Sequence, residues 1–298
     1  MDKSGSVKPL ISQGWLRALL FLIAFGLATG IFLIVYLVAV LKGNPDTSGL
    51  ESLLKGNNLL VTISIIFAVS LILTFVFRRR IDHKSFVSLG LDFNGHEAEA
   101  IAGGMLATFI ICASSLLLKV TGHLKWMDII FDFRALFFAF GTVVIISFYE
   151  ELIFRGYILN NLLDSFPGWT ALAISSLLSM IFHWTGQSSI GFFPLANSLI
   201  MGLILGLNYI YTRNLWFSFC FHIAWKFMEG PVFGYSGDDS FQTFLQPELN
   251  GDVNITGGAN GLEGSVILMA VALISLIALF LFLQRKFNPR FLPAQDQI

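Results

Sequence analysis

Long apolar runs alternate with short polar turns along this 298-residue chain. A helix needs roughly 20 apolar residues to cross a bilayer core about 30 Å thick. Runs suited to that task lie near residues 16–41, 59–77, 98–118, 135–158, 168–185, 196–212, 215–232 and 264–284. The pattern therefore predicts an all-α membrane protein, a bundle of about eight transmembrane helices.

The first apolar run follows Arg17 and continues to about Leu41. It is longer than the roughly 7–15 apolar residues of a signal peptide, so we interpret it as a retained first helix. The sequence contains no linker long enough to separate domains and no internal repeat. We therefore predict that residues 1–298 form one polytopic membrane domain.

The composition supports a bilayer as the solvent of this chain. Hydrophobic residues make up 55% of it, charged residues 12%, and the mean hydropathy is +0.76. Soluble domains carry about 25% charged residues. The formal net charge of −1 gives no reason to expect a nucleic-acid partner. Cys112 and Cys220 both lie inside apolar runs, which favours buried free thiols over a disulfide framework.

The positions of the basic residues predict the orientation in the membrane. With eight spans they gather on one side, which the positive-inside rule makes cytoplasmic, together with both termini. This set is Lys3, Lys8, Arg17, Arg78, Arg79, Arg80, Lys84, Arg213, Arg285, Lys286 and Arg290. The opposite side receives the segment 231–264, which contains five acidic residues and no Lys or Arg.

Three charged residues interrupt the fourth apolar run: Glu150, Glu151 and Arg155. Each costs roughly 2.5–3.5 kcal/mol at the centre of a membrane helix unless it is compensated. Glu151 and Arg155 are four positions apart and can pair on one helical face. Glu150 has no such partner in its own helix. Burial in a low dielectric makes a carboxylate a stronger base, which suits a general base.

Two histidines are predicted to lie level with Glu150. His183 is in the fifth run and follows the turn near Asp164–Gly168 by about as many residues as Glu150 precedes it. At 1.5 Å per residue, both then lie roughly 25 Å from that turn. His222 reaches the same depth if this hairpin protrudes further into the cytoplasm than the turn at Arg213. The site is then expected in the cytoplasmic half of the membrane.

Lys226 follows His222 by four positions and therefore shares its helical face. An unpaired buried charge is energetically costly, so we expect Lys226 to pair with a carboxylate. One carboxylate and two imidazoles at one depth suit hydrolysis. Their spacing is not that of the HExxH signature, and the chain has no CxxC pair.

These residues resemble the CPBP family, the type II CAAX prenyl endopeptidases and their bacterial relatives. The first family motif is present as Glu150-Glu151 with Arg155 four positions later. The second is represented by His183, although Ser179 takes the place of its Phe. The third is represented by His222, with Lys226 in place of its Asn or Asp. The resemblance is strongest over residues 140–265, and we place a catalytic core at about 135–265.

The resemblance implies an intramembrane endopeptidase that hydrolyses membrane-associated peptides or proteins near the cytoplasmic side. Glu150 would activate water, assisted by His183, and His222 with residue 226 would hold the oxyanion. Glu151, Arg155 and Lys226 would support the site. The resemblance leaves two options open, a zinc ion held by Glu150, His183 and His222 or a metal-free reaction. It also implies a location in the bacterial inner membrane, in contact with lipid.

Two other classes of function stay open. A non-catalytic membrane scaffold or immunity protein of the same family is favoured by Lys226 and opposed by the retained Glu150 and histidines. A transporter could use intramembrane Glu and His as a proton relay. Transporters of that kind are commonly built from repeats with broken helices, and no such repeat is visible in this sequence.

Overall fold

The computed structural model describes residues 8–43, 53, 56–184, 191–235 and 243–287. Eight main helices and two strands organise these residues. The first four helices are α1 (Gly14–Gly43), α2 (Gly56–Val76), α3 (Glu97–Val120) and α4 (Phe133–Glu151). The others are α5 (Gly168–Trp184), α6 (Phe192–Thr212), α7 (Trp216–Phe227) and α8 (Val266–Phe287). The strands are β1 (Leu124–Ile129) and β2 (Leu245–Leu249).

The eight main helices lie where the apolar runs predicted them, and the protein is an all-α membrane protein. Six helical segments among the described residues are long and apolar enough to cross a membrane, however, so the predicted number of eight spans is not supported. α5 has 17 residues and α7 has 12. At 1.5 Å per residue, α7 is about 18 Å long, well short of a bilayer core of about 30 Å.

The outer surfaces of the helices are apolar, as a lipid environment requires. On α1, for example, Leu27 and Ile31 are both more than half exposed. A soluble protein rarely exposes such a large contiguous apolar area. These side chains therefore face the hydrocarbon of the bilayer.

A two-stranded ribbon joins the segment after α3 to the segment before α8, and no feature of the sequence predicted it. β1 and β2 pair antiparallel, with Leu124 opposite Leu249 and Ile129 opposite Leu245. The register shifts between Trp126 and Asp128. The pairing continues at both edges, where Asn250 N donates to His123 O and Ile130 N to Phe244 O. We call this end of the bundle the ribbon end.

A buried ion-pair network holds the opposite end together. The carboxylate of Asp82, after α2, accepts from Arg17 of α1 at 3.2 Å and from Arg78 at 3.0 Å. Tyr157 and Asn161, from the segment after α4, also donate to it. All five side chains are fully buried. Because this network joins α1, α2 and the α4 segment, we call this end of the bundle the basic end.

Two further contacts gather the remaining helices at the basic end. Lys286, near the end of α8, pairs with Glu99, near the start of α3, at 2.9 Å. Leu215 N, between α6 and α7, donates to Gly90 O between α2 and α3. The ends that the basic residues predicted to share one side of the membrane are therefore neighbours in space.

α3 and α7 pack at unusually short range because of one glycine. A Cβ atom on Gly103 would lie 2.2 Å from the carbonyl oxygen of Phe217. Any larger residue would push the two helices apart. This contact fixes the distance between α3 and α7, and α7 carries His222 and Lys226.

The basic-end network predicts a large effect of Asp82→Asn on stability. Asn keeps the shape of the side chain but leaves Arg17 and Arg78 without a buried counter-charge. Breaking a buried ion pair by removing one partner costs about 3–5 kcal/mol. We expect a loss of that order in the free energy of unfolding, measured by denaturant titration in detergent micelles.

The matched control is Asp164→Asn. Asp164 also contacts Arg17, at 2.7 Å, but it is 33% exposed. Water can then solvate the charges, so we expect a loss of about 1 kcal/mol or less. Equal losses in the two variants would contradict the assigned role of Asp82.

Candidate active site

Three side chains from three different helices meet near the centre of the bundle. Glu150 Oε2, on α4, lies 3.4 Å from His183 Nε2 on α5 and 3.2 Å from His222 Nε2 on α7. Glu150 and His222 are buried, and the His183 side chain is 29% exposed. The structure thus brings together the carboxylate and the two imidazoles that the sequence predicted to lie level.

The two neighbouring glutamates point to different parts of the site. Consecutive helical residues point about 100° apart. Glu150 therefore contacts the Nε2 atoms of both histidines, whereas Glu151 contacts the other ring nitrogen of His222. Glu151 Oε1 contacts His222 Nδ1 at 2.7 Å. This contact fixes the imidazole plane of His222 and turns its Nε2 atom toward Glu150.

Arg155 compensates the charge of Glu151, as the spacing of four residues predicted. Its Nη1 atom lies 3.1 Å from Glu151 Oε1, and its Nη2 atom donates to the carbonyl oxygen of Gly202 on α6 at 3.3 Å. Both charged side chains are 1% exposed. Arg155 therefore holds Glu151 in place and connects the site to α6.

A π-helical segment, Leu152–Leu159, follows the two glutamates directly. A second one, Met228–Val232, follows α7 shortly after Lys226 and contains Glu229 and Pro231. Such segments are frequent at functional sites, because the wider turn changes the direction in which side chains project. No feature of the sequence predicted either segment.

Lys226 is the fourth charged group at the site. Its Nζ atom lies 3.8 Å from Glu150 Oε1, and its side chain is 27% exposed. The expected pairing with a carboxylate is thus present in the structure, and the carboxylate is that of Glu150. The ammonium group occupies one side of Glu150 and the two histidines occupy the other.

A polar cavity of about 40 Å³ adjoins these residues. His183, His222, Lys226 and Ser179 line it, together with Ser198 of α6 and Glu263. About 10–15 Å³ of such volume is enough for one water molecule. Glu150 Oε2 accepts no hydrogen bond from the residues that the structure describes. The cavity thus has room for water against His183, His222 and Lys226, the three side chains that contact the Glu150 carboxylate.

Glu263 was not among the predicted site residues. It lies in a 3₁₀ segment, Gly258–Gly264, between β2 and α8. Asn197 of α6 fixes this segment by donating to the carbonyl oxygens of Glu263 and Ser265 at 2.7 and 3.1 Å. The sequence shows Gly257, Gly258 and Gly261 here, but their spacing alone does not predict that this turn folds back to the site.

The three donor atoms also fit a zinc ion. The ligand atoms of Glu150, His183 and His222 all lie within 4.8 Å of one another. Two His and one Glu form a common catalytic set of zinc ligands. A ligating His usually donates its other ring N–H to a carboxylate, which orients the imidazole. Glu151 has that position behind His222. The positive charge of Lys226 opposes the binding of a dication at the same carboxylate.

Comparison with protein families identifies the segment that carries these residues. Residues 132–228 match the family described as type II CAAX prenyl endopeptidase Rce1-like. This segment, about a third of the chain, is similar to that family, and we call it the Rce1-like segment. The match confirms the resemblance found in the motifs and supports a protease. It contains Glu150, Glu151, Arg155, His183, His222 and Lys226, and it ends before Glu263. Comparisons with curated proteins and with solved structures gave no significant match.

The Glu151–Arg155 pair predicts strong coupling within the Rce1-like segment. Arg155→Met leaves the carboxylate of Glu151 buried without its cation, at a cost of about 3–5 kcal/mol in the free energy of unfolding. The double variant Glu151→Gln/Arg155→Met removes both charges and should lose markedly less stability than Arg155→Met. Denaturant unfolding of the two single variants and the double variant measures the coupling.

The control for this cycle is Lys286→Met. Lys286 and Glu99 form an ion pair of similar length, 2.9 Å, but Lys286 is 44% exposed. We expect Lys286→Met to cost about 1 kcal/mol or less. Additive effects of Glu151→Gln and Arg155→Met would show that the buried pair is not coupled.

The position of Lys226 predicts how zinc affinity changes on substitution. Lys226→Asn removes a positive charge 3.8 Å from Glu150 and adds a neutral oxygen donor. We expect zinc affinity to rise on the order of tenfold or more, from the lost electrostatic repulsion. The metal content of the purified proteins, equilibrated at graded free zinc concentrations, measures the difference.

Lys226→Arg is the matched control, because it keeps the charge and should bind zinc as the wild type does. Equal zinc affinity in the wild type and Lys226→Asn would contradict an opposing effect of Lys226.

Proposed function

We propose that this protein is an intramembrane endopeptidase that uses Glu150 to activate water. The observation that carries the proposal is the contact of Glu150 with His183 and His222 beside a water-sized cavity, within an Rce1-like segment. General base catalysis needs a base within hydrogen-bond reach of the proton it removes. In the proposal, water from the cavity reaches Glu150 between His183 and His222, which line the cavity and contact the carboxylate.

In the proposed reaction, the oxygen of this water attacks the carbonyl carbon of the peptide bond, and Glu150 takes the proton. The carbonyl electron pair moves to the oxygen and forms a tetrahedral oxyanion. The C–N bond then breaks, and Glu150 returns the proton to the departing amine. The products are a carboxylic acid and an amine, so atoms and charges balance.

His183, His222 and Lys226 have supporting roles in this scheme. His183 lies near enough to Glu150 to orient the water and to steady the proton on the carboxyl group. Lys226 and His222 face the cavity. Lys226 would donate a hydrogen bond to the oxyanion, and His222, whose Nδ1 atom contacts Glu151, would donate from Nε2 in its imidazolium form. Charged donors fixed in a low-dielectric site stabilise such an anion strongly. Glu151 acts through His222 and is a positioning residue.

The same residues could act with or without zinc. Zinc held by Glu150, His183 and His222 would polarise the carbonyl group and acidify bound water. We favour the metal-free scheme because the ammonium group of Lys226 already lies beside Glu150. In that scheme Glu150 stays available as the base.

Membrane-associated peptides or membrane proteins are the proposed substrates, since the site lies within an apolar helical bundle. The name of the matching family refers to prenylated CAAX substrates, and nothing in this chain requires a prenyl group. A location in the bacterial inner membrane stays a prediction from the sequence.

A second candidate is a non-catalytic membrane protein that binds a partner. The specific observation in its favour is the Lys226–Glu150 ion pair, in which the ammonium group contacts the proposed base. A permanent ion pair would weaken Glu150 as a base. The same helices would then serve to hold a partner protein.

Glu150→Gln is expected to abolish proteolysis with little change in shape. Loss of a general base typically lowers the rate by about 10²–10⁴-fold. The measurement is a quantitative comparison of new peptide termini in membranes from cells making the wild type or Glu150→Gln at matched levels. Termini that depend on Glu150 would also identify the substrates.

Glu248→Gln is the matched control, because Glu248 is an exposed carboxylate on β2. This variant should produce the wild-type set of termini. Identical sets from the wild type and Glu150→Gln, under several growth and stress conditions, would reject the peptidase and favour the binding protein.

A further inference from the structure

A deep apolar groove lies between α3 and α8, apart from the candidate active site. Its volume is about 350 Å³, and among the described residues it shares no lining side chain with the cavity beside Glu150. An apolar cavity of about 150 Å³ is large enough to bind benzene. The groove can therefore accommodate a ligand considerably larger than a single ring.

Short side chains create this groove. Ala98 and Ala102 line it from α3, and Ala278 lines it from α8. All three are exposed, so the groove is open at the outer surface of the bundle. Asn208 of α6 and Phe217 of α7 form its floor, where both are buried. Because the outer surface of the bundle faces hydrocarbon, the groove opens into the bilayer.

The groove extends along about one leaflet of the membrane. Its lining on α8 runs from Ser275 to Lys286 and Phe287, which lie at the basic end. Ser275 precedes Lys286 by eleven residues, and eleven residues of helix are about 16 Å long. One leaflet of the hydrocarbon core is about 15 Å thick. This length suits a hydrocarbon chain that enters at the membrane surface and ends near the midplane.

A charged pair marks the basic end of the groove. Lys286 Nζ lies 2.9 Å from Glu99 Oε1, and the two side chains are 44% and 15% exposed. Glu99 Oε2 also lies 3.9 Å from His96 Nδ1. An ammonium group has three N–H donors, and a carboxylate has about four acceptor positions. Their mutual contact therefore leaves donors on Lys286 and acceptor positions on Glu99 for a ligand that carries both charges.

An acyl chain fits the groove better than a helix of another protein does. A helix with its side chains is about 10–12 Å across, so a length of about 16 Å occupies roughly 1,300 Å³ or more. The groove has about 350 Å³. A methylene group is about as large as a water molecule, whose share of the liquid is about 30 Å³, so the groove holds on the order of ten methylene groups.

We propose that the groove binds one phospholipid of the phosphatidylethanolamine class, whose headgroup carries a phosphate and a free ammonium group. One acyl chain lies between α3 and α8. The phosphate accepts a hydrogen bond from Lys286, and the ammonium group donates one to Glu99. Each positive charge then faces a negative one, whereas an anionic headgroup without an ammonium group places like charge beside Glu99. This inference does not depend on proteolysis.

The bound chain connects the groove to the helices that carry the candidate active site. An unfilled space deprives its lining of the dispersion contacts that a chain supplies. Phe217 belongs to α7, which also carries His222, and Asn208 belongs to α6. The lipid therefore stabilises the packing of α3, α6, α7 and α8 against one another.

A side chain that fills the groove tests the proposal. The protein, purified in detergent, is titrated with phosphatidylethanolamine, and native mass spectrometry measures the one-to-one complex. Ala278→Phe should weaken binding on the order of tenfold or more, because its ring clashes with the chain. Ala270→Phe is the matched control, since Ala270 is an exposed residue of the same helix outside the lining of the groove. Equal binding by the two variants would overturn the proposal.

Comparison of headgroups tests the role of the charged pair. Phosphatidylcholine has no N–H to donate to Glu99, so we expect it to bind on the order of tenfold more weakly than phosphatidylethanolamine. Glu99→Gln should reduce this preference, and Lys286→Gln should weaken the binding of both lipids. Arg285→Gln, which replaces an exposed residue outside the lining, should change neither. Equal affinities of the wild type for the two lipids would contradict the assigned headgroup contacts.

Photocrosslinking of the wild type locates the lipid without any substitution. The probe is phosphatidylethanolamine with a diazirine at the end of one acyl chain, in bilayers of unlabelled lipid. We expect labelling at the deep end of the groove, near Leu106 and Ser275, in preference to Leu27 and Ile31 on the exposed face of α1. Equal labelling of the two regions would show bulk lipid only and overturn the proposal. A dimer whose contact covers the groove and excludes the probe would overturn it too.

Discussion

The cost of placing charge inside a membrane is the constraint on which the rest of this structure depends. Glu150, Glu151, Arg155 and Lys226 lie among apolar helices, where each would be strongly unfavourable alone. Their contacts form a chain from Gly202 O through Arg155, Glu151, His222 and Glu150 to Lys226. Three helices, α4, α6 and α7, must be in place for that chain to close, and His183 adds α5 through its contact with Glu150. The charges thus specify how these four helices pack, and the same packing forms the cavity.

The sequence predicted the parts of this arrangement that depend on local spacing. The apolar runs placed the eight helices, and the interval of four residues paired Glu151 with Arg155. Hairpin lengths placed Glu150, His183 and His222 at one level. These predictions succeed because helical rise is regular and hydrocarbon permits few alternatives to helices. What the sequence could not give is long-range contact, such as the return of the Gly258–Gly264 segment to α6 through Asn197.

The ribbon belongs to that second group. β1 and β2 are about 120 residues apart in sequence, and neither strand is long enough to show clear alternation. The packing between the site and the basic end also depends on contacts between distant residues, such as Asn160 with Tyr209 and Asp82 with Arg17. The number of true spans also depends on tertiary structure, because a short helix such as α7 is surrounded by longer ones rather than by lipid alone.

The balance of charge at the site explains why Lys226 matters more than any other departure from the family motifs. With neutral histidines, the two glutamates are matched by Arg155 and Lys226, so the four charges sum to zero. An Asn at position 226 would leave one negative charge unmatched, and an Asp would leave two, either of which would favour a divalent cation at Glu150 and the histidines. Lys226 supplies part of that positive charge from the chain itself, at 3.8 Å from Glu150. The substitution therefore changes the source of the positive charge while leaving the carboxylate and both imidazoles in place, and this is the ground on which we propose the metal-free scheme.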